Sequence, residues 1–251
     1  MHKKDLLVLD FDGVIVDSLK ENFILSLKAF NEINNCNKKI ITYKKFAQGR
    51  IFCKTALDYY LAFKLVYLDP DMDFLSMTHA KWAKLFEKHK EEINRFPKIF
   101  YKLRIYEIKN NFNNWIKYQY VYKGIKETIF ALKSKFKKII MATARDSYSA
   151  RKILKHNGIN IEIIGREVSI NKAVLLTYIK DKYRTDYPDL YFIDDNIGNL
   201  LEPKKMGVNV FLAGWGFLPK ESFKIAKKYK IPALQLSDFN KHFPGNLIIK
   251  N

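Results

Sequence analysis

Leu6-Leu7-Val8-Leu9-Asp10-Phe11-Asp12-Gly13-Val14 decides how the rest of the chain is read. A continuous apolar run closing on an acid describes a short strand buried on both faces. Asp12 follows two residues later, past the strand end, on the turn that Gly13 permits. From Leu19 to Tyr120 the pattern turns helical. Phe23, Leu27, Phe30 and Ile33 recur at helical spacing, as do Leu57, Leu61 and Leu65, and Lys81 to Phe96 alternates aromatic and charged residues on the same period. Pro97 suits the first turn of a further helix with Phe100, Leu103 and Ile108 on one face, and Asp69-Pro70-Asp71 marks a turn.

After Lys123-Gly124 the period alternates. Helices are predicted over 125–136, 149–157 (closed by Gly158), 172–183 and 199–206, with strands over 139–142, 161–164, 190–193 and 208–212. Strands separated by helices of this length imply βαβ units and a parallel sheet with helices on both faces. Residues 1–18 and 121–251 therefore read as one α/β core, and 19–120 as a helical insertion after the first strand.

Composition narrows the function classes. With 251 residues, 48% hydrophobic and 28% charged, the chain builds a buried core, and disordered and collagen-like classes are excluded. No apolar run approaches the roughly 20 residues of a membrane helix. The stretch from Leu6 to Val16 is interrupted by Asp10 and Asp12, unlike a secretory signal. Two cysteines, Cys36 and Cys53, and five scattered histidines make neither a disulfide framework nor a zinc site, and the expected compartment is a reducing cytoplasm. The net charge of +19 comes from 45 basic residues, of which only seven are Arg, and the lysines are spread along the whole chain. They read as bulk composition that attracts anionic substrates rather than as a nucleic-acid footprint. Tyr59, Tyr60, Trp82, Phe86 and Trp115 read as core of the insertion, not as a platform for bases.

Candidate chemistry gathers where strands end. A doubly wound sheet binds ligands beyond the carboxyl ends of its strands, and the residues there are Asp10 and Asp12, Thr143-Ala144-Arg145, and Asp194-Asp195, with Lys172 at a helix start. Carboxylates concentrated in one crevice need a counter-charge, which a hard cation such as Mg²⁺ supplies together with Lys172. Thr143 and the backbone amides after it, Ala144 included, suit anionic oxygens. Asp10 is placed as a covalent nucleophile and Asp12 as general acid and base.

Val8 to Ser18, VLDFDGVIVDS, resembles the first motif of the haloacid dehalogenase superfamily, in its phosphoglycolate phosphatase and phosphoglucomutase-like branch. Thr143, Lys172 and the pair Asp194-Asp195 followed by Asn199 resemble its second, third and fourth motifs, in the family's order. Tyr122 to Ile125, Ile163 to Val168 and Trp215-Gly216-Phe217 are similar to further family segments. The resemblance implies a Rossmann-like sheet ordered 3-2-1-4-5 with an all-helical cap. It also implies Mg²⁺ held by Asp10, the carbonyl of Asp12, and Asp195, with Asp194 second or through water. Asn199 stands where many members carry another Asp, and Ala173 where many carry proline. Phe46 to Arg50 is similar to the substrate-facing loop of helical caps, so Arg50 is expected to meet an anionic group of the substrate. An acid at the Asp12 position points to phosphate esters rather than carbon–halogen or carbon–phosphorus bonds. The expected activity is Mg²⁺-dependent hydrolysis of a small phosphorylated metabolite by a cytoplasmic monomer or homodimer, with membranes and nucleic acid disfavoured as partners. A phosphosugar mutase and a non-catalytic nucleic-acid-associated protein are the alternatives.

Overall fold

Six strands carry the α/β core: β1 (Leu6–Leu9), β2 (Lys138–Ala142), β3 (Glu162–Ile164), β4 (Leu190–Asp194), β5 (Asn209–Ala213) and β6 (Ala233–Leu234). The computed structural model describes residues 6–36 and 40–243. β1 pairs in parallel on both sides, Leu6 to Leu9 matching Lys138 to Met141 and Leu190 to Ile193. Each of its residues is at most 3% exposed; a strand with a neighbour on either side and both faces covered has no position for a polar residue, hence the unbroken apolar run. The sheet runs 3-2-1-4-5-6, parallel throughout. The expected order is present, extended at one edge by the two-residue β6.

The chain divides into two compact units, Met1–Asp17 with Val121–Asn251, and Ser18–Tyr120. Described by itself, the second is built from α1 (Leu19–Ile33), α2 (Tyr43–Arg50), α3 (Ala56–Leu68), α4 (His79–Lys88) and α5 (Phe96–Asn110), with single turns at Lys90–Ile93 and Phe112–Trp115. Its core is aromatic: Phe30, Phe46, Phe63, Phe96 and Phe100 are fully buried and packed ring to ring. Tyr59, Tyr60, Trp82 and Trp115 are buried too, and Phe86 packs on the core.

In the first unit, α6 (Ile125–Leu132), α7 (Ser147–His156), α8 (Lys172–Tyr183), α9 (Ile197–Lys205) and α10 (Lys220–Lys228) alternate with the strands. Two helices start two residues before the apolar period suggests, because side-chain caps recruit the preceding turn. Asp146 accepts from the Ser149 N–H at 2.8 Å, and Asn196 from the Gly198 N–H at 2.9 Å. α10 and β6 escape the sequence reading: α10 buries only Ser222 and Ala226, so its inner stripe is not apolar enough to stand out. Among the described residues, no helix is long and apolar enough to cross a membrane.

Candidate active site

In a 3-2-1-4-5 sheet the chain reverses direction of travel between β1 and β4, and that gap opens at the carboxyl ends of both strands. Asp10 follows β1 and is tied to the neighbouring strand by its N–H, which donates to the Ile193 carbonyl at 2.9 Å. Asp194 ends β4, and Asp195 comes next. One carboxylate oxygen from each of Asp10, Asp194 and Asp195 lies within 4.8 Å of the others, and all three residues are buried. Lys172, the first residue of α8, is buried as well; its Nζ donates to Asp10 Oδ1 at 2.5 Å and to the Ala142 carbonyl at 2.8 Å, and stands 3.6 Å from Asp194 Oδ2. Burial and the Asp194 charge push the Asp10 carboxyl up to about 7, against the pull of Lys172. Burial pulls the Lys172 ammonium down, but Asp10 and Asp194 outweigh it and hold the amine above its ordinary value. Three carboxylates against one ammonium leave excess negative charge in a desolvated place, the setting a hard divalent cation relieves.

Both acids at the end of β4 are held from several directions. Asp194 accepts from the Asn196 N–H at 2.8 Å and from Asn199 Nδ2 at 3.1 Å. Asn199 therefore acts on the site through Asp194. Asp195 Oδ2 accepts from the Phe217 N–H at 2.6 Å. Gly13, at φ +89°, and Gly216 pack against it so closely that a methyl group on either would fall 2.0 Å from Asp195 Oδ2 or 2.3 Å from its Cβ. Trp215 Nε1 donates to the Val14 carbonyl at 3.0 Å, fastening the Trp215-Gly216-Phe217 turn to the loop after β1.

Thr143, 1% exposed, lies just past β2 and its Oγ1 accepts from the Arg145 N–H at 3.0 Å; Ala144 between them is half-buried. Arg145 is buried and grips Asp12 bidentately, Nη2 to Oδ1 at 2.9 Å and Nε to Oδ2 at 3.2 Å. The structure thus brings Asp10, Asp12, Thr143, Ala144, Lys172, Asp194 and Asp195 together on one unit. Arg50 belongs to the other, where it is buried, donates to the Cys53 carbonyl at 2.9 Å and lies over the Tyr59 ring.

The sequence model of haloacid dehalogenase-like hydrolases matches residues 4–207. The chain belongs to that family. Solved structures agree at the level of fold. A protein provisionally named phosphoglycolate phosphatase from Lactobacillus delbrueckii subsp. bulgaricus is 11% identical, over 98% of this chain and 100% of its own, with a TM-score of 0.68. A predicted phosphatase from Clostridium acetobutylicum is 16% identical over 95% and 97%, at 0.59. A haloacid dehalogenase-like family protein from Streptococcus pneumoniae is 15% identical over 97% and 100%, at 0.62. No curated protein matches the sequence.

Two features of this haloacid dehalogenase-like site lie beyond what the motifs convey. The Arg145 grip on Asp12 joins residues 133 apart in the chain, and the support of Asp195 by Gly216 and Phe217 joins segments about twenty residues apart. The sequence signal for the second was the Trp215-Gly216-Phe217 turn itself; for the first there was only an arginine two residues after Thr143.

Proposed function

We propose that this hydrolase is a Mg²⁺-dependent phosphatase acting on a small phosphomonoester through an aspartyl-phosphate on Asp10. The observation that carries the reading is the meeting of Asp10, Asp194 and Asp195 around Lys172 at the reversal point of the sheet. The three acids, with the Asp12 carbonyl, suit Mg²⁺: oxygen donors only, buried and crowded, with too much negative charge for one lysine. When bound, the ion offsets negative charge on the transferring phosphoryl group.

The chain's own residues divide the remaining work. An Asp10 carboxylate oxygen attacks phosphorus as the ester P–O bond breaks, and Asp12 gives its proton to the departing alkoxide. Asp12 then takes a proton from water, whose oxygen attacks the phosphoryl group; the bond to Asp10 breaks, releasing phosphate and restoring the carboxylate. Thr143, the amide of Ala144 and Lys172 hold the phosphoryl oxygens. Lys172 also keeps Asp10 aimed, through its 2.5 Å hydrogen bond. The Arg145 fork orients Asp12 for both proton transfers. We assign residues 19–120 the part of the cap that selects the leaving group, with Arg50 toward an anionic group on it. With Cys36 and Cys53 free, a reducing cytoplasm is the proposed compartment.

Of the readings the sequence leaves open, hydrolysis is the one the family supports, since its members are described as hydrolases. Asp10→Asn should abolish Mg²⁺-dependent phosphate release from p-nitrophenyl phosphate with the thermal melt unchanged. Hydrolysis retained by that variant overturns the nucleophile. A panel of phosphorylated metabolites, with 2-phosphoglycolate among them, then ranks substrates by kcat/KM.

A further inference from the structure

Lysines dispersed along the sequence are collected by the fold at one edge of the sheet. A cavity of about 1060 Å³ there is lined by Lys133, Lys137, Lys138, Arg151, Lys155 and Lys182, drawn from the segment after α6, from β2, α7 and α8. The single acid among its fifteen lining residues is Glu162, which pairs with Lys138 at 2.5 Å and Lys182 at 2.6 Å. The lining thus carries one net positive charge per three residues, against about one per thirteen for the chain as a whole (19 over 251). Lys137, Arg151 and Lys155 are exposed, and among the described residues no carboxylate lies within ion-pair distance of them. Bulk composition does not account for this local density.

The groove runs along β3, the edge strand of the sheet, from Asn160 at its start toward Gly165. There it meets a second cavity of about 440 Å³ that shares Arg151, Ile163 and Lys182. This end adds Tyr148 and Tyr178, each about 41% exposed, and one further acid, Glu167, whose carboxylate accepts from the Ser147 N–H at 2.9 Å and Oγ at 2.7 Å. Lys152 Nζ lies 5.4 Å from the Tyr148 ring centre and Lys182 Nζ 5.8 Å from that of Tyr178. Ile139, Leu154 and Ile159 form an apolar floor between the cations.

We propose that this channel binds single-stranded nucleic acid, with phosphates on Lys137, Arg151 and Lys155 and bases against Tyr148 and Tyr178. A positive groove beside accessible aromatic faces is the combination that holds an unpaired strand without reading its sequence. The tyrosine rings favour an unpaired strand, whose bases are free to stack, over a duplex, whose bases are not. What separates a nucleic acid from an acidic peptide here is the pair of exposed tyrosine rings, which offer its bases a stacking surface. None of the residues invoked belongs to the phosphatase site, so the two readings stand or fall separately.

Fluorescence anisotropy of the full chain with a labelled 12-nucleotide oligouridylate, from 50 to 200 mM KCl, tests this. Engagement of three phosphates by Lys137, Arg151 and Lys155 makes log K fall with log salt at a slope of about −2. Replacing Lys137→Gln, Arg151→Gln and Lys155→Gln together should weaken binding more than tenfold at 50 mM KCl and reduce that slope by about 2. Tyr148→Ala with Tyr178→Ala should weaken binding roughly tenfold or more and leave the slope unchanged. All are surface positions, and thermal melts verify that each variant is folded. An unchanged slope in the glutamine variant, or displacement of the oligonucleotide by polyglutamate at equal charge concentration, overturns the proposal.

Discussion

At Gly13 the backbone stands at φ +89°, and an added methyl would fall 2.0 Å from Asp195 Oδ2. Gly13→Ala therefore costs about 1–2 kcal/mol in backbone strain alone and forces Asp195 from its place. The expected outcome is a lower melting temperature and at least a tenfold loss of Mg²⁺ affinity by calorimetry; unchanged affinity would remove Asp195 from the metal set. Arg145→Met frees Asp12 from its bidentate partner. It should lower kcat about 10–100-fold through lost orientation, with Mg²⁺ affinity within twofold of the parent. At this scale the acids, Thr143 and Lys172 were legible because each sits directly after a buried strand or at a helix start. Arg145 was visible as a residue but not in its pairing with Asp12, since no spacing rule relates positions 133 apart.

Between elements, the helical unit carries a buried ion pair that its periodicity does not announce. Glu21 on α1, fully buried, accepts from Arg104 on α5 through Oε1 at 2.7 Å and Oε2 at 3.0 Å, and from Trp115 Nε1 at 2.9 Å. Arg104 also donates to Asn22 Oδ1 at 3.3 Å. Phe100, Arg104 and Ile108 form one buried stripe, so an arginine occupies a place that helical spacing assigns to an apolar residue. Arg104→Met leaves the Glu21 charge buried without its partner and should cost about 3–5 kcal/mol in urea denaturation. Adding Glu21→Leu should restore most of that loss, and failure to do so would place the contribution in packing rather than charge. Helix existence was legible here from the apolar period, whereas partner choice depended on which faces met. The same limit hid α10, whose buried stripe is small rather than apolar.

For the whole molecule, Mg²⁺ that binds only the folded chain stabilises it by about 2.7 kcal/mol at a hundred times its dissociation constant, so millimolar Mg²⁺ should raise the melting temperature and a chelator should reverse it. No shift would overturn the metal reading. Acid stability has a separate source. Burial pushes Glu162 upward, but hydrogen bonds from Lys138, Lys182 and Tyr183 outweigh it and hold the carboxyl at about 2, below its ordinary 4.5. A depressed acid contributes stability above pH 4.5 that drains as pH falls toward 2. Wild type should exceed Glu162→Gln by roughly 1–2 kcal/mol above pH 5, a figure discounted for solvent access, and the gap should narrow by pH 3. Read alone, the sequence determined the α/β class, the interruption by helices and the acids that end the strands, because a strand buried on both faces admits polar residues only where it stops. Only the tertiary structure decided that Arg145 would grip Asp12, that Glu21 would find Arg104, and that lysines scattered over fifty residues would line one groove. Each of those is a meeting of distant segments, set by packing and by the sheet's strand order rather than by any local period.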